Sequence, residues 1–159
     1  MADEQPIAWH DPGALTDGDL ELILVDRTPD VPHEGIMPCY HFEMRHPGEA
    51  ERLGSIRLRV GRAELMDRVN GQIGYRVEPA HRGHHYAARS CRLLYPLARA
   101  HGMDPLWITC DPDNWASRRT CELAGAVYVE TIDVPEGTDE YYEGERQKRR
   151  YRVDLGHDA

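Results

Sequence analysis

Residues 75–102 constrain the fold more than any other stretch, because they predict a strand, a tight turn and a long helix in direct succession. The strand ends near Val77, and the turn runs from Pro79 to Gly83. After the turn, apolar residues recur at three- and four-residue steps, which is the spacing of one buried helix face. Gly102 follows at a point where a left-handed residue can end a helix. The recurring apolar positions are Ala87, Ala88, Cys91, Leu94, Tyr95 and Ala98.

The turn between this strand and this helix predicts an anion site, best suited to phosphate. The first N–H groups of a helix have no partner within it, and they lie at the positive end of the helix dipole. Gly83 lets a ligand approach the backbone closely, and Arg82 adds a full positive charge. The alternative is an ordinary strand–turn–helix connection with an exposed arginine.

The turn also carries a family resemblance. Residues 82–87 (RGHHYA) resemble the acyl-CoA pyrophosphate loop of the GNAT superfamily of acyltransferases, whose pattern is R/Q-x-x-G-x-G/A. The segment matches that pattern at Arg82 and Ala87. It departs from it at His85, where the family usually has glycine.

A second motif of the same superfamily lies downstream. Residues 114–126 (NWASRRTCELAGA) resemble the helix with the pattern N-x-x-[AS]-x-x-hydrophobic…G-[FA]. The N-x-x-S-R form, with Ser117 and Arg118, is most like the branch that acetylates the N-termini of ribosomal proteins. The two motifs occur in the family's order and are separated by a predicted buried strand at 105–110. On this basis the chain is identified as similar to GNAT acyltransferases over about residues 72–130.

The resemblance implies an α/β (α+β) fold with a mixed, mostly antiparallel sheet of about six to seven strands and two main helices. It also implies a splayed parallel pair of strands, with the helix after the loop as the crossover. We expect a poorly ordered lead-in at 1–18 and a single domain at 19–156. Residues 27–38 contain three prolines, so the helices that cover the acceptor site in the family should be reduced or absent. The predicted strands lie at 19–26, 39–44, 52–60, 71–77, 105–110, 126–132 and 149–155.

The resemblance further implies that acetyl-CoA is the cofactor. Its pyrophosphate would rest on the N–H groups of about residues 83–88, and its pantetheine arm would run along residues 75–77 between the splayed strands. Asn114 would reach the arm from the other side. The predicted cofactor-binding residues are Tyr75, Val77, Arg82, Gly83, His84, His85, Tyr86, Ala87, Ala88, Asn114 and Arg118.

Direct attack of an amine on the thioester requires a general acid and a base. Many family members have a tyrosine on the second helix, at the position of Cys121, which protonates the leaving thiolate. A thiol with a pKa near 8.5 can fill that role, or Cys121 can simply pack in the core. Asp111 and Glu43 are candidate bases. The alternatives are that Asp111 caps the second helix, a role Asn114 can also fill, and that Glu43 lies on a solvated strand face.

Charge and composition limit the partners. The formal net charge of −9 argues against nucleic acid and is compatible with a small-molecule or peptide amine that is cationic. Residues 133–145 are rich in acidic side chains and lack basic ones, so they either select such an amine, with Tyr141 and Tyr142 as apolar walls, or form a solvated loop. His81, His84 and His85 have a spacing that could hold a metal, but two of them lie in the phosphate loop, so we expect no metal site.

The remaining bulk features suit a cytoplasmic protein without a membrane partner. No apolar run approaches the roughly 20 residues that span a bilayer, and the four cysteines form no C-x-x-C pair. The sequence therefore predicts an N-acetyltransferase that uses acetyl-CoA. The alternative is a non-catalytic acyl-CoA-binding or sensing module of the same fold. A homodimer, in which a second subunit completes an open acceptor side, is a further expectation.

Overall fold

The structure, a computed structural model, describes residues 8–29, 37–61 and 69–156. Within them, eight strands form one sheet in the order β1-β2-β3-β4-β5-β6-β8-β7. The strands are β1 (Leu15–Asp17), β2 (Leu20–Thr28), β3 (Cys39–Arg45), β4 (Gly54–Arg59), β5 (Ile73–Val77), β6 (Leu106–Cys110), β7 (Val127–Asp133) and β8 (Gln147–Val153).

Strands β5 and β6 are the parallel pair of an otherwise antiparallel sheet. They are joined in register only at Ile73 and Ile108. Beyond Ile73, strand β5 continues to Val77 and pairs with β4 on its other side, but not with β6. The sheet therefore opens at its centre, where the edge of β5 toward β6 is available to a ligand.

The described residues contain three α-helices: α1 (Tyr86–Ala100), α2 (Trp115–Leu123) and the short α3 (Asp139–Tyr142). A 3-10 turn at Pro79–His81 precedes α1. Helix α1 connects β5 to β6 and ends as the sequence predicts, because Gly102 has a φ of +72°. None of these helices has both the length and the apolar content required to cross a membrane.

The buried stripe of α1 packs on the sheet. Cys91, Leu94 and Ala98 are fully buried and belong to the same apolar cluster as Phe42 of β3 and Ile108 of β6. Polar contacts join this helix to the first edge of the sheet and to α2. Arg89 pairs with Asp17 and Asp19 at the β1–β2 turn, and Tyr95 donates a hydrogen bond to the carbonyl of Ala124 at the end of α2.

The predicted fold class is confirmed, with three differences in detail. The sheet has eight strands rather than six or seven. Strand β1 lies inside the predicted lead-in, because Leu15 is buried and pairs with Leu22. Asn114, not Asp111, caps α2. The predicted loss of helices at 27–38 concerns largely residues 30–36, which lie outside the described residues.

Candidate active site

The loop between β5 and α1 has the backbone conformation that its glycine-containing motif requires. Gly83 has a φ of +97°, and His85, the residue before the helix, has a φ of +60°. His85 is the sole non-glycine residue with positive φ in the described ranges. It stands where the family usually has glycine, yet it adopts the left-handed conformation that glycine takes without steric cost. Position 85 therefore has a backbone conformation that a glycine could also adopt.

Helix α1 presents unpaired N–H groups at this loop. Its first backbone hydrogen bond runs from the N–H of Arg89 to the carbonyl of His85, at 3.0 Å. Tyr86, Ala87 and Ala88 therefore have no acceptor within the helix. A Cβ built on Gly83 would meet nothing within 4 Å, so the space in front of the loop is open. These residues fit a bound diphosphate.

The side chains that flank the loop differ in whether they are exposed or paired with other residues. His84 and His85 are exposed. Arg82 is exposed too, and its Nε donates to the carbonyl of Val77 at 3.3 Å, so it links the loop to the end of β5. His81 pairs with Glu51 at 3.0 Å. No group of three or more potential metal ligands converges in the ranges that the structure describes.

A cavity of about 470 Å³ extends from the opening between β5 and β6. It is bounded by β4, β5, the end of β6, the start of α2, and the segment from α3 to β8, and we refer to it as the cleft. Of the predicted site residues, the cleft contains Tyr75, Asp111 and Asn114. Its other lining residues are Arg57, Arg59, Asn70, Ile73, Gly74, Thr109, Cys110, Ser117, Glu140, Glu143, Glu145 and Lys148.

The N-terminus of α2 lies at this cleft. The Asn114 side chain accepts a hydrogen bond from the N–H of Ser117 at 3.1 Å and so caps the helix. Arg118 donates to the carbonyl of Pro112 at 3.0 Å and stacks 4.0 Å from the ring centre of Trp115. Its contacts within the chain are with the start of its own helix, and its predicted role in binding the cofactor stays a prediction.

The side chain of Tyr75 connects β5 to α2. Its hydroxyl oxygen is 2.6 Å from Oγ of Ser117 and 3.8 Å from Sγ of Cys121. Burial is the main reason why the pKa of Tyr75 lies well above its ordinary value, so the phenol keeps its proton. Both residues line the cleft.

Cys121 itself is fully buried and does not line the cleft. Its hydrogen bond with Cys110 and its burial raise the pKa of its thiol. The same hydrogen bond, opposed by burial and assisted by Ser117 and Arg149, lowers the pKa of Cys110 to about 7. Cys110 lines the cleft, so it is the thiol of this pair that a ligand reaches.

The carboxylates near the cleft are mostly paired. Lys148 is 2.8 Å from Asp111 and 3.0 Å from Glu145, and its side chain is only 11% exposed. Glu140 accepts a hydrogen bond from Asn70 at 2.6 Å, which is the main reason why its pKa is lowered. The other candidate base, Glu43, pairs with Arg45 and does not line the cleft.

The two tyrosines of the acidic segment do not line the cleft. Tyr141 stacks under Arg146 at 3.7 Å, and Tyr142 is 78% exposed. The segment therefore contributes carboxylates to the cleft rather than apolar walls.

Sequence reasoning assigned no site role to Ser117, to Cys110, to the Tyr75 side chain or to the lysine and arginines of the cleft. The N-x-x-S spacing was a usable signal for Ser117, because three residues on a helix bring it back to the face of Asn114. The positions of the other residues depend on which strands pair and in which register, and no local sequence pattern indicates this.

Comparison with known proteins identifies the family. The family model described as an acetyltransferase (GNAT) domain matches residues 3–127. The chain therefore belongs to the GNAT acetyltransferase family. No curated protein sequence is significantly similar to it.

Several solved structures share the fold. One is RimL, a ribosomal-protein α-N-acetyltransferase, in complex with coenzyme A, with 13% identity, a TM-score of 0.65 and coverage of 91% of this chain and 99% of that one. A probable GNAT acetyltransferase from Chromobacterium violaceum has 15% identity, a TM-score of 0.65 and coverage of 98% and 93%. A microcin self-immunity acetyltransferase, in complex with acetyl-CoA and AMP, has 14% identity and a TM-score of 0.57. That match covers 73% of this chain but only 61% of the larger protein. At these identities the likeness is one of fold.

Proposed function

We propose that the protein is an N-acetyltransferase that moves an acetyl group from acetyl-CoA to a primary amine by direct attack in a ternary complex. One observation carries the proposal: the opening between β5 and β6 connects the N-terminus of α1, with its unpaired N–H groups, to the cleft. Membership of the GNAT family supports the reaction class, and the solved relatives with acetyl-CoA or coenzyme A support the cofactor.

The residues that would hold the cofactor fit a diphosphate followed by an extended arm. The N–H groups from Gly83 to Ala88 would bind the diphosphate, with Arg82 adding charge. The free edge of β5, up to Val77, would bind the amides of the arm as an added strand. Asn114 lines the cleft on the α2 side, although its side-chain oxygen is occupied as the helix cap.

When bound, acetyl-CoA supplies an activated acetyl thioester. The chain then contributes mainly position, because holding two reactants in line removes much of the entropic barrier. A backbone N–H on the free edge of β5 would polarise the reacting carbonyl. No covalent attachment to the protein is required.

We assign the proton donor to Ser117, supported by Tyr75, rather than to Cys121. Ser117 and Tyr75 line the cleft and are 2.6 Å apart, whereas Cys121 is fully buried behind them. Ser117 would give its proton to the leaving sulfur while the Tyr75 phenol, which stays protonated, is hydrogen-bonded to the serine oxygen. The proton that the attacking amine loses would restore the serine hydroxyl. Asp111 stays a proposal for the group that accepts the proton of the ammonium, through water, because it lines the cleft as a carboxylate paired to Lys148.

The four cysteines are buried and free, which suits a reducing compartment such as the cytoplasm. A non-catalytic acyl-CoA-binding or sensing module of the same fold is the alternative function. Binding alone does not separate the two.

The experiment measures acetyl-CoA binding and acetyl transfer in the same protein preparation. Acetyl-CoA affinity is determined by titration for the parent and for Arg82→Glu, and release of the free CoA thiol is followed with a panel of primary amines. The proposal predicts binding that weakens about tenfold or more in Arg82→Glu, together with amine-dependent thiol release. Binding without release for any amine would identify the non-catalytic module, and the absence of binding would refute both.

A further inference from the structure

We infer that the acceptor carries a carboxylate within a few bonds of its amine, and that Arg57 binds this carboxylate. The inference rests on the proposed acetyl transfer and specifies the acceptor for the same cleft. Among the cleft residues, Arg57 carries a positive charge for which the described part of the chain provides no ion pair.

The charged groups of the cleft differ in whether they have partners. Lys148 lies between Asp111 and Glu145, and Glu140 is held by the amide of Asn70. Arg57, by contrast, makes no hydrogen bond or ion pair with any residue of the described ranges, and it is exposed in the cleft. An unpaired guanidinium at this point is therefore available to a ligand.

Arg57 can lie close beside β5 because the residue opposite it on that strand is a glycine. It lies on β4 in register with Gly74 of β5. A Cβ built on Gly74 would lie 2.9 Å from Nε of Arg57 and 3.3 Å from Nη2. Any larger residue at position 74 would displace the guanidinium, so Gly74 leaves the room that it occupies.

The position of Arg57 determines how far a bound carboxylate is from the acetyl carbonyl that reacts. Gly74 is the residue immediately after Ile73, where β5 and β6 part, and it belongs to the strand proposed to polarise the acetyl carbonyl. A group bound by Arg57 would therefore be within a few bonds of the attacking amine. Guanidinium groups prefer carboxylates, which they bind through two parallel hydrogen bonds.

The cleft also has an exposed carboxylate suited to the other half of such a ligand. Glu143, just after α3, lines the cleft and makes no side-chain hydrogen bond or ion pair in the part of the chain that the structure describes. An ammonium group would be attracted to it while the carboxylate binds Arg57. The combination matches an amino acid, or a peptide whose first residues include an acidic one, better than a polyamine.

The test compares acceptors that differ only in the carboxylate. One arm compares free amino acids with their carboxamides, and the other compares peptides that have aspartate or asparagine at the second position. Because the carboxamides have less basic amines, kcat/KM is calculated for the unprotonated amine. The variants are Arg57→Gln and Arg57→Lys, with Arg52→Gln as the matched control, because Arg52 pairs with Glu78 outside the cleft.

We expect the parent to prefer the carboxylate member by about tenfold or more in at least one arm, since a charge-assisted pair contributes that much to binding. The ratio should fall to near one in Arg57→Gln, fall partly in Arg57→Lys and stay unchanged in Arg52→Gln. A preference in the first arm identifies small amino acids, and one in the second identifies acidic peptide N-termini.

Two results would overturn the inference alone: amines are acetylated without preference for the carboxylate, or the preference survives in Arg57→Gln. If no amine of either arm is acetylated but another primary amine is, the inference fails and the proposed function stands. If no primary amine at all is acetylated, both fail.

Discussion

The hydroxyl oxygen of Tyr75 lies 2.6 Å from Oγ of Ser117, and this contact joins strand β5 to helix α2 beside the cleft. The family's usual tyrosine would project from α2, at the position of Cys121. Here a phenol comes from the opposite side of the cleft, and its hydroxyl is 3.8 Å from Sγ of that cysteine. A tyrosine hydroxyl therefore lies near residue 121 of α2, although the tyrosine belongs to strand β5.

Tyr75→Phe should lower kcat about tenfold and leave acetyl-CoA affinity unchanged, because the phenol acts on Ser117 rather than on the cofactor. The matched control is Tyr95→Phe. Tyr95 also donates a short hydrogen bond, 2.6 Å to the carbonyl of Ala124, but it does not line the cleft. Both variants should lose about 1 kcal/mol of unfolding free energy, and only Tyr75→Phe should lose activity. Equal kcat in the two variants would contradict the assignment.

His85→Gly should leave the protein at least as stable as the parent. Relief of the left-handed conformation of a non-glycine residue gains about 1–2 kcal/mol, and this offsets the greater freedom of glycine in the unfolded chain. His84→Gly is the control, since His84 has no positive φ and should lose about 0.4–1 kcal/mol. Urea unfolding of both variants checks the difference. Equal destabilisation would mean that the φ of His85 carries no strain.

Lys148→Met should destabilise the protein by about 1–3 kcal/mol, because it leaves the partly exposed carboxylates of Asp111 and Glu145 without their shared cation. Adding Asp111→Asn should recover part of this loss. Arg119→Met is the control, and it should change stability by less than about 1 kcal/mol because its pair with Glu122 is exposed. Denaturant unfolding gives the free energy of unfolding for the parent, the two single variants and the double variant. An equal loss in Lys148→Met and Arg119→Met would argue against a larger contribution from the buried Lys148.

The same lysine predicts a loss of stability at alkaline pH. Burial alone would lower the pKa of Lys148, but its hydrogen bonds to Asp111 and Glu145 outweigh burial and raise the pKa above its ordinary 10.5. A raised pKa in the folded state stabilises fully below the unfolded value and is lost as pH increases through the folded one. The parent should therefore lose stability above pH 10.5, and Lys148→Met should lose less over that range. Parallel pH profiles would contradict this.

His101 predicts a second pH dependence, on the acid side. Burial and the neighbouring His10 lower its pKa from 6.5 to about 4, and its Nε2 is 2.6 Å from the Tyr40 hydroxyl. Between these values the unfolded chain binds a proton that the folded chain does not, so stability should fall as pH decreases from 6.5 to 4. His101→Gln should flatten the slope of unfolding free energy over that window, and the exposed control His84→Gln should not. An unchanged slope in His101→Gln would show that another group is responsible.

The strand–turn–helix unit could be predicted because its marks are local: apolar spacing along α1, and glycine at Gly83 and Gly102. The missed strand β1 is short, and it is a strand only because it pairs with β2. The positive φ of His85 could not be predicted, because backbone torsions are not visible in a residue type.

The cleft was harder to predict because its contacts join distant positions. Tyr75 and Ser117 are 42 residues apart, and they meet because β5 and α2 border the same opening. The contact between Arg57 and Gly74 depends on the register of two strands, which a one-residue slip would abolish. The acidic segment contains both kinds of carboxylate: Glu145 pairs with Lys148, whereas Glu143 has no side-chain partner in the described ranges, and the sequence alone does not distinguish the two.

The measurement that tests the central claim most directly is the transfer of labelled acetyl from acetyl-CoA to the amine panel, with the parent, Ser117→Ala and Tyr95→Phe. The proposed mechanism predicts labelled N-acetyl product with the parent and Tyr95→Phe, and product formation at least tenfold slower with Ser117→Ala despite unchanged acetyl-CoA affinity. A parent that binds acetyl-CoA but forms no labelled product with any amine would contradict the claim that this cleft is an acetyltransferase site.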